Sequence, residues 1–319
     1  MLRKICLMVV LLVLGTGCSG PDALSSLPTE TAVEAVSPET ASPTSSPTLA
    51  PAPTDTPTPD VTSTPSITPT VILPAQPREI TFEAGDGVEL KGLYYPPDAP
   101  QAPVLVLMHW ARGDQQEWAS IAGWVQNRGQ VESTGNRFWE SPGWFPDFPS
   151  ELSLGVFTFT FRDCQGGCQG WSSAGWLLDA RAAVEAAANL PGADPRRILT
   201  AGASIGADGA VDACDWWNEQ GAGRCLGAFA ISPGSYLTVP YEQAGSSLLA
   251  SDPAAQVYCL FDRRDDAAWE TCPSLPEATQ VDFGYVHKRG MELIDPGLKH
   301  NTLILLREFI QRSLETSGG

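Results

Sequence analysis

The stretch that decides the fold is Arg197–Cys214, RILTAGASIGADGAVDAC. Its apolar beginning predicts a buried strand, and the residues from Ile205 onward predict a helix. Gly202 and Gly206 have no side chains, so the strand and the helix can approach each other closely. The tight turn displays the Ser204 hydroxyl at the carboxyl edge of the sheet, beside the helix N-terminus. The pattern Gly-x-Ser-x-Gly in this setting predicts a nucleophilic serine; the alternative is a turn in which these common residues meet by chance.

The sequence on either side of this turn alternates strands with helices. Continuous apolar runs predict strands that are buried on both faces, and a hairpin is predicted around residues 85–87. The predicted strands are Ile80–Phe82, Val88–Tyr95, Val104–His109, Val156–Phe161, Arg197–Ala203, Leu226–Ser232, Val257–Phe261 and Gln280–Val286, and the predicted helices are Leu177–Ala188, Ile205–Cys214 and Leu298–Leu314. This alternation predicts an α/β three-layer sandwich with a mostly parallel sheet.

These features resemble the α/β-hydrolase superfamily, nearest to its dienelactone-hydrolase and esterase-like branches. Besides the turn at Ser204, the resemblance rests on Leu107–Ala111 (LMHWA), on Arg162–Cys168 (RDCQGGC) and on the order of an acid and a histidine further along. It covers about residues 78–315. The resemblance implies the α/β-hydrolase fold and a serine hydrolase that needs no metal or organic cofactor.

The resemblance also implies which backbone groups bind a developing oxyanion. They are the N–H groups of Ile205 and Ala111, with Trp110 as an alternative to the second. Trp110 stands where the family usually has glycine, and His109 is structural in this family.

A serine nucleophile needs a base. After Ser204 the chain has His287, expected in a loop beyond the last strand, and His300, expected in the first turn of the terminal helix. His287 is the predicted base because such a loop can carry it over the sheet edge. It is followed by Lys288-Arg289, where the family often has glycine directly.

The base in turn needs an orienting acid, which this fold supplies before the histidine. Three carboxylates compete in the loop after the strand Val257–Phe261, namely Asp262, Asp265 and Asp266. Asp265 best fits the position used by the family, and Asp266 is the runner-up. At least two of the three are expected to be ordinary groups of a solvated turn.

The predicted triad of Ser204, Asp265 and His287 would hydrolyse carboxylic esters of small molecules through an acyl-enzyme. Thioester or amide hydrolysis and acyl transfer are variations of the same chemistry. One competing class is a non-catalytic binding module that keeps the fold. A peptidase of the same fold is another, although 243 residues leave little room for a gating domain.

Aromatic residues are concentrated in the segment 110–148, which contains five of the ten tryptophans. This segment either overhangs the pocket, with Trp110 as a substrate-binding residue, or packs a small core of its own.

The N-terminal residues predict export. Residues 1–17 have a basic start and a short apolar run, as in a secretory signal, and the sequence up to Cys18 resembles a bacterial lipoprotein signal. Residues 18–76 contain 12 prolines and 12 threonines and no Lys, Arg, Trp, Tyr or Phe, which predicts a disordered tether. The hydrolase domain is then 77–319, lipid-anchored through Cys18 to the outer face of the cytoplasmic membrane or to the outer membrane. Without lipidation the protein would be secreted.

The cysteines and the charge fit an exported protein that avoids nucleic acids. Six cysteines remain in the domain, which favours disulfides between neighbours in sequence over a metal site. The predicted pairs are Cys164–Cys168, Cys214–Cys225 and Cys259–Cys272. The formal net charge of −18 would repel phosphate backbones, so nucleic-acid binding is excluded as a main function. The oligomeric state is left open.

Overall fold

Eight strands form one sheet in the computed structural model of the protein, which describes residues 76–126 and 136–316. The order across the sheet is β1-β2-β4-β3-β5-β6-β7-β8; β1 and β2 pair antiparallel, β2 pairs antiparallel with β4, and all other neighbours are parallel. The strands are β1 (Arg78–Glu83), β2 (Glu89–Tyr95), β3 (Ala102–Met108), β4 (Gly155–Phe159), β5 (Ala193–Ala203), β6 (Cys225–Ile231), β7 (Gln256–Phe261) and β8 (Thr279–Asp282).

Helices cover both faces of the sheet. Alternate residues of β3 enter two different cores: Val104 and Val106 pack with α2 and α3, whereas Leu105 and Leu107 pack with α1 and α6. The helices are α1 (Ala119–Gln126), α2 (Ser173–Ala188), α3 (Ile205–Gln220), α4 (Tyr241–Ser251), α5 (Asp266–Thr271) and α6 (Thr302–Thr316). The predicted three-layer α/β sandwich is therefore confirmed, and it is the α/β-hydrolase fold.

Two predicted boundaries near the C-terminus were wrong. β8 ends at Asp282, not Val286, because the chain turns at Gly284 (φ 85°), whose N–H donates to the Asp282 side chain at 2.8 Å. The last helix begins at Thr302, not Leu298, because the Asn301 side chain accepts the N–H groups of its first turn. His300 therefore precedes the helix.

The cysteines pair as predicted. Cys164–Cys168 closes a loop after β4, Cys214–Cys225 joins α3 to β6, and Cys259–Cys272 joins β7 to the turn after α5.

The tryptophans of the segment 110–148 belong to the main core. Trp118 and Trp124 pack with β3 and α6 in the same buried cluster, so the idea of a separate small core was wrong. Among the described residues of this segment, Phe138 is a large exposed apolar side chain.

The predicted signal, the lipidation site Cys18 and nearly all of the predicted tether lie outside the described residues. Among the helices that the structure describes, none has the length and apolar character needed to cross a membrane.

Candidate active site

Ser204 lies in the turn between β5 and α3 with φ 54° and ψ −118°. A residue other than glycine is strained there, and such strain persists only where the surroundings hold it. A Cβ on Gly202 would lie 2.1 Å from the carbonyl oxygen of Gly206, and one on Gly206 would lie 2.3 Å from that of Met108. Strand and helix are thus in backbone contact, and both glycines are required for the turn.

The N–H groups predicted to bind an oxyanion lie beside this serine. Ile205 is the first residue of α3, so its N–H has no acceptor within the helix. Ile205 and Ala111 both line the cavity in front of Ser204. The loop closed by the Cys164–Cys168 disulfide fixes Ala111, because the Cys168 N–H donates to the Ala111 carbonyl oxygen at 2.8 Å.

His109 has the surroundings of a structural residue. It is fully buried, its Nε2 accepts the Phe161 N–H at 3.0 Å, and its Nδ1 therefore carries the proton donated to the Trp110 carbonyl oxygen at 2.7 Å. Burial lowers the pKa of His109 to about 4, so the ring is neutral at pH 7. It ties the end of β3 to the segment after β4.

A cavity of about 190 Å³ opens in front of Ser204. Its walls are formed by loops that follow the carboxyl ends of the parallel strands, which is where ligands bind in open α/β sheets. The lining residues are Trp110, Ala111, Arg112, Trp171, Ser204, Ile205, Ser232, Tyr236, Asp265, Arg289 and Gly290.

Of the three competing carboxylates, only Asp265 lines this cavity. Its side chain is 4% exposed; burial raises its pKa, while Arg289 and a hydrogen bond with Ser232 act in the opposite direction. Asp266 is exposed at the start of α5. Asp265 therefore stays the predicted acid, and its side chain forms part of the wall of the Ser204 cavity.

The expectation that two of the three carboxylates belong to a solvated turn was wrong, because Asp262 is buried and has a structural role. It is completely buried, and its carboxylate accepts the N–H of Arg264 at 2.8 Å and that of Lys288 at 2.6 Å. It thereby ties the turn after β7 to the segment 284–290 after β8, which we call loop 284–290.

The structure does not bring His287 into the cavity. His287 is exposed, in the left-handed conformation (φ 58°), and its imidazole has no hydrogen bond or ion pair with any described residue. His300 lies elsewhere, with its Nε2 3.2 Å from the Asp282 carbonyl oxygen and its ring against Phe283. None of the three histidines, all of which are described, therefore lines the cavity, and the catalytic role of His287 stays a prediction.

The residue that lies beside Asp265 is Arg289. One guanidinium nitrogen is 3.5 Å from a carboxylate oxygen of Asp265. A guanidinium does not lose its proton in proteins, so Arg289 cannot act as the base. A sequence signal existed: Gly290 directly follows Arg289, as the family's glycine follows its histidine.

Close packing fixes the end of this loop. Gly290 has φ 53°, and a Cβ there would lie 2.6 Å from the indole of Trp110. Its N–H donates to Ser232 Oγ at 2.9 Å. The contacts of Gly290 therefore help to hold Arg289 at the wall of the Ser204 cavity, in addition to the contact of the Arg289 side chain with Asp265.

Tyr236 is a site residue that the sequence reasoning missed. It lies in the loop after β6 and lines the same cavity as Ser204. The exposed Trp171 packs edge-on against its ring, with 5.7 Å between the ring centroids. No local motif marks a tyrosine in such a loop, so only the three-dimensional structure brings it to the serine.

Trp110 stands between the Ser204 cavity and a second one of about 280 Å³. It is 4% exposed, and its indole N–H donates to Glu117 at 2.5 Å. Burial raises the pKa of Glu117 to about 7, while the Arg137 guanidinium beside it acts in the opposite direction. The predicted substrate-binding role of Trp110 thus reduces to the small part of its ring that reaches the cavity.

No three His, Cys, Asp or Glu side chains within 76–126 and 136–316 lie close enough together to hold a metal ion.

Comparison with known proteins shows the class of fold. No protein-family model and no curated protein matches the sequence. Dienelactone hydrolase from Anabaena variabilis has a similar structure with a TM-score of 0.50 and 13% identity over 74% of this chain and 97% of that chain. At this identity the likeness establishes the α/β-hydrolase fold only.

Two other solved structures have lower TM-scores. A thermophilic and thermostable carboxylesterase cloned from a metagenomic library has a TM-score of 0.47 and 14% identity over 76% of this chain and 88% of that chain. Dipeptidyl peptidase 4 from Porphyromonas gingivalis has a TM-score of 0.47 and 12% identity over 74% of this chain; the match spans only 35% of that peptidase.

Proposed function

We propose that the protein is a serine hydrolase that cleaves carboxylic esters of small molecules through an acyl-enzyme on Ser204. The observation that carries the proposal is the strained conformation of Ser204 at the wall of a cavity, beside the free N–H of Ile205. Backbone strain of this kind costs on the order of 1–3 kcal/mol and clusters at active sites, which supports a functional role for the Ser204 hydroxyl.

In this proposal Ser204 Oγ attacks the ester carbonyl, and the Ile205 and Ala111 N–H groups bind the oxyanion that forms. Losing one such donor typically raises the barrier by about 2.7–4 kcal/mol, so the fixing of Ala111 by the Cys164–Cys168 loop bears directly on rate. The alcohol leaves, and water releases the acyl group. A cavity of about 190 Å³ favours a short acyl group.

The proton acceptor is the open part of this mechanism. The sequence assigns it to His287, with Asp265 as the orienting acid, but the described His287 side chain is exposed and lies outside the cavity lining. As a base, His287 would have to leave its exposed position and enter the cavity.

A second function has its own supporting observation. Because Arg289, not a histidine, lies beside Asp265, the site also fits a non-catalytic module that binds an ester or acid and does not turn it over. Covalent chemistry at Ser204 distinguishes the two functions.

The test is labelling with a fluorophosphonate probe together with hydrolysis of p-nitrophenyl acetate. We expect the wild-type protein to be labelled and to hydrolyse the ester, and Ser204→Ala to lose both. Ser235→Ala is the matched control, since Ser235 does not line the cavity. A folded wild-type protein that is neither labelled nor active would favour the binding module, and labelling that persists in Ser204→Ala would contradict the assignment of the nucleophile.

We further propose that the domain is displayed at the cell envelope, lipid-anchored through Cys18 and held away from the membrane by the residues up to 76. The support is the sequence of 1–76. Metabolic labelling with a fatty-acid analogue tests it: the wild type should carry label, and Cys18→Ala should not. Unlabelled wild-type protein in the culture medium would show secretion instead.

A further inference from the structure

We propose that the Cys164–Cys168 disulfide is a redox switch for the Ser204 site. A small dithiol opens it selectively in the folded protein, and the rate of ester hydrolysis then falls. This inference rests on the proposed function, because it acts through the Ala111 N–H that binds the oxyanion there. It depends on what the loop of residues 164–168, which we call the disulfide loop, supports, on how that loop is held, and on how exposed its cysteines are.

The first feature is the contact between the disulfide loop and the segment that carries Ala111. The Cys168 N–H donates to the Ala111 carbonyl oxygen at 2.8 Å, and Ala111 lines the Ser204 cavity. A Cβ added at Gly167 would lie 3.5 Å from the carbonyl carbon of Arg112 and 3.6 Å from the carbonyl oxygen of Ala111. The disulfide loop is therefore packed directly against the backbone at Ala111.

The second feature is the backbone conformation that the disulfide helps to hold. Gly166 and Gly167 have φ 67° and 121°, and Asp163, directly before the loop, has φ 58°. Glycines gain much conformational freedom when they are released, and a residue other than glycine is strained at positive φ. The Gly166 N–H also donates to the Asp114 carboxylate at 2.9 Å. Opening the disulfide removes the covalent restraint on this loop and lets the Cys168 N–H move away from Ala111.

The third feature is the exposure of the cysteines. Cys168 is half-buried, whereas its partner and the members of the two other disulfides are completely buried, namely Cys164, Cys214, Cys225, Cys259 and Cys272. Thiol–disulfide exchange requires that a thiolate reach one sulfur of the bond. A reductant can approach the Cys164–Cys168 bond from the Cys168 side in the folded protein, whereas the other two bonds open only with local unfolding.

The exchange balances with one dithiol as the reductant. A thiolate of the dithiol attacks Cys168 Sγ, the bond between the two sulfurs breaks, and Cys164 leaves as a thiolate that takes a proton from water. The second thiol of the reductant then attacks the mixed disulfide, and Cys168 leaves with a proton. The dithiol is oxidised to its own disulfide, and both cysteines are reduced to thiols.

The size of the effect follows from a second support of the same peptide group. The His109 ring donates to the Trp110 carbonyl oxygen at 2.7 Å, so the peptide bond that carries the Ala111 N–H stays held from its other side. Complete loss of an oxyanion donor lowers kcat by about 100- to 1,000-fold, and we expect a fall of about tenfold when one of two supports is lost. KM should change little, because a bond to the oxyanion forms only as the reaction proceeds.

The test treats the wild-type protein with dithiothreitol under native conditions and then removes the reagent without air, because dithiothreitol itself cleaves activated esters. Mass mapping of an alkylated portion should find Cys164 and Cys168 modified and the other two disulfides intact. The remaining portion should hydrolyse p-nitrophenyl acetate with a kcat about tenfold lower and an unchanged KM. Reoxidation with oxidised glutathione should restore kcat, which a loss caused by damage to the fold would not predict.

Two double variants serve as a mimic and as a matched control. Cys164→Ala with Cys168→Ala should have the kcat of the reduced protein and no response to dithiothreitol. Cys214→Ala with Cys225→Ala keeps the disulfide loop closed and should respond as the wild type does.

Three outcomes would overturn the switch while leaving the serine hydrolase intact. They are selective opening with unchanged kcat, opening of all three disulfides at one rate or of none, and a reduced protein that is unfolded at the assay temperature. Oxidised wild-type protein that is neither labelled by a fluorophosphonate nor active would overturn the switch and the proposed function together.

Discussion

The turn at Ser204 and loop 284–290 each hold a key residue at positive φ, 54° for Ser204 and 58° for His287. Their surroundings differ completely. In the turn, a single added Cβ at Gly206 would collide with the backbone of β3, whereas a Cβ on Gly284 would meet no atom within 4 Å. Packing therefore leaves the serine one conformation, whereas the histidine has few contacts that would resist another.

The comparison implies that an added side chain in the turn lowers the stability of the fold more than a change in the exposed part of loop 284–290. Gly206→Ala should show this most strongly, because the clash is with backbone atoms that cannot move aside. We expect the free energy of unfolding to fall by about 3 kcal/mol or more, at the upper end of overpacking effects. Urea unfolding measures it, with Gly143→Ala as the control in open space. Equal midpoints for the two variants would break the comparison.

The next largest effect concerns the disulfide that joins the helix after the Ser204 turn to the neighbouring strand. Cys214–Cys225 joins α3, which starts at the turn, to β6, and the paired residues are 11 apart in sequence. Replacing both by alanine should cost about 2–3 kcal/mol in unfolding free energy. The double alanine variant of Cys164 and Cys168, only four apart, should lose less because it closes a shorter loop. A larger loss in the second variant would show that the loop beside Ala111 is the stiffer support.

The same contrast explains what could be predicted from the sequence. The turn depends on the close contact of a strand and a helix that are adjacent in sequence. Gly202 and Gly206, which allow this contact, can be recognised in the sequence itself. The buried strands and the cysteine pairs were likewise readable, because apolar runs and close spacing constrain them locally. Within the candidate site, the order of acid and histidine directed attention to Asp265 and His287, and only Asp265 lies in the cavity wall.

The remainder depended on long-range geometry. The end of β8 and the course of loop 284–290 depend on contacts of Asp262 with Lys288 and of Gly290 with Trp110. The position of the loop that carries Tyr236 depends on Asp208, whose carboxylate accepts the Tyr236 N–H and which looks in sequence like any other polar helix residue. Local sequence patterns do not show such contacts between residues that are far apart in the chain.

Asp208, in the helix that follows the Ser204 turn, provides a further test, in which the free energy of unfolding depends on pH. Burial raises its pKa from 3.8 to about 7, against the effect of the backbone N–H groups of Tyr236 and Gly234. A raised carboxyl pKa contributes stability that is present below the unfolded pKa of about 4 and is lost as pH rises through about 7.

Asp208→Asn should therefore gain stability relative to wild type as the pH rises from about 5 to about 8. We expect a relative change of about 2 kcal/mol, since stability changes by about 1.4 kcal/mol per pH unit between pH 5 and the folded pKa of about 7. Asp266→Asn, at an exposed carboxylate, is the control. Parallel stability curves for wild type and Asp208→Asn would mean that the carboxylate is ionised throughout and that its N–H bonds outweigh burial.

The smallest expected effect is at His287, and it tests the other half of the comparison. His287→Gly removes an exposed side chain at φ 58°, a backbone angle that glycine adopts without strain. The relief of backbone strain and the larger conformational entropy of glycine in the unfolded chain should nearly cancel in the free energy of unfolding. We expect a change in unfolding free energy within about 0.5 kcal/mol, as for other exposed sites. A loss of several times that size would mean that the imidazole is held by contacts in solution. Loop 284–290 would then be built around the histidine, and the prediction that His287 accepts the Ser204 proton would gain support.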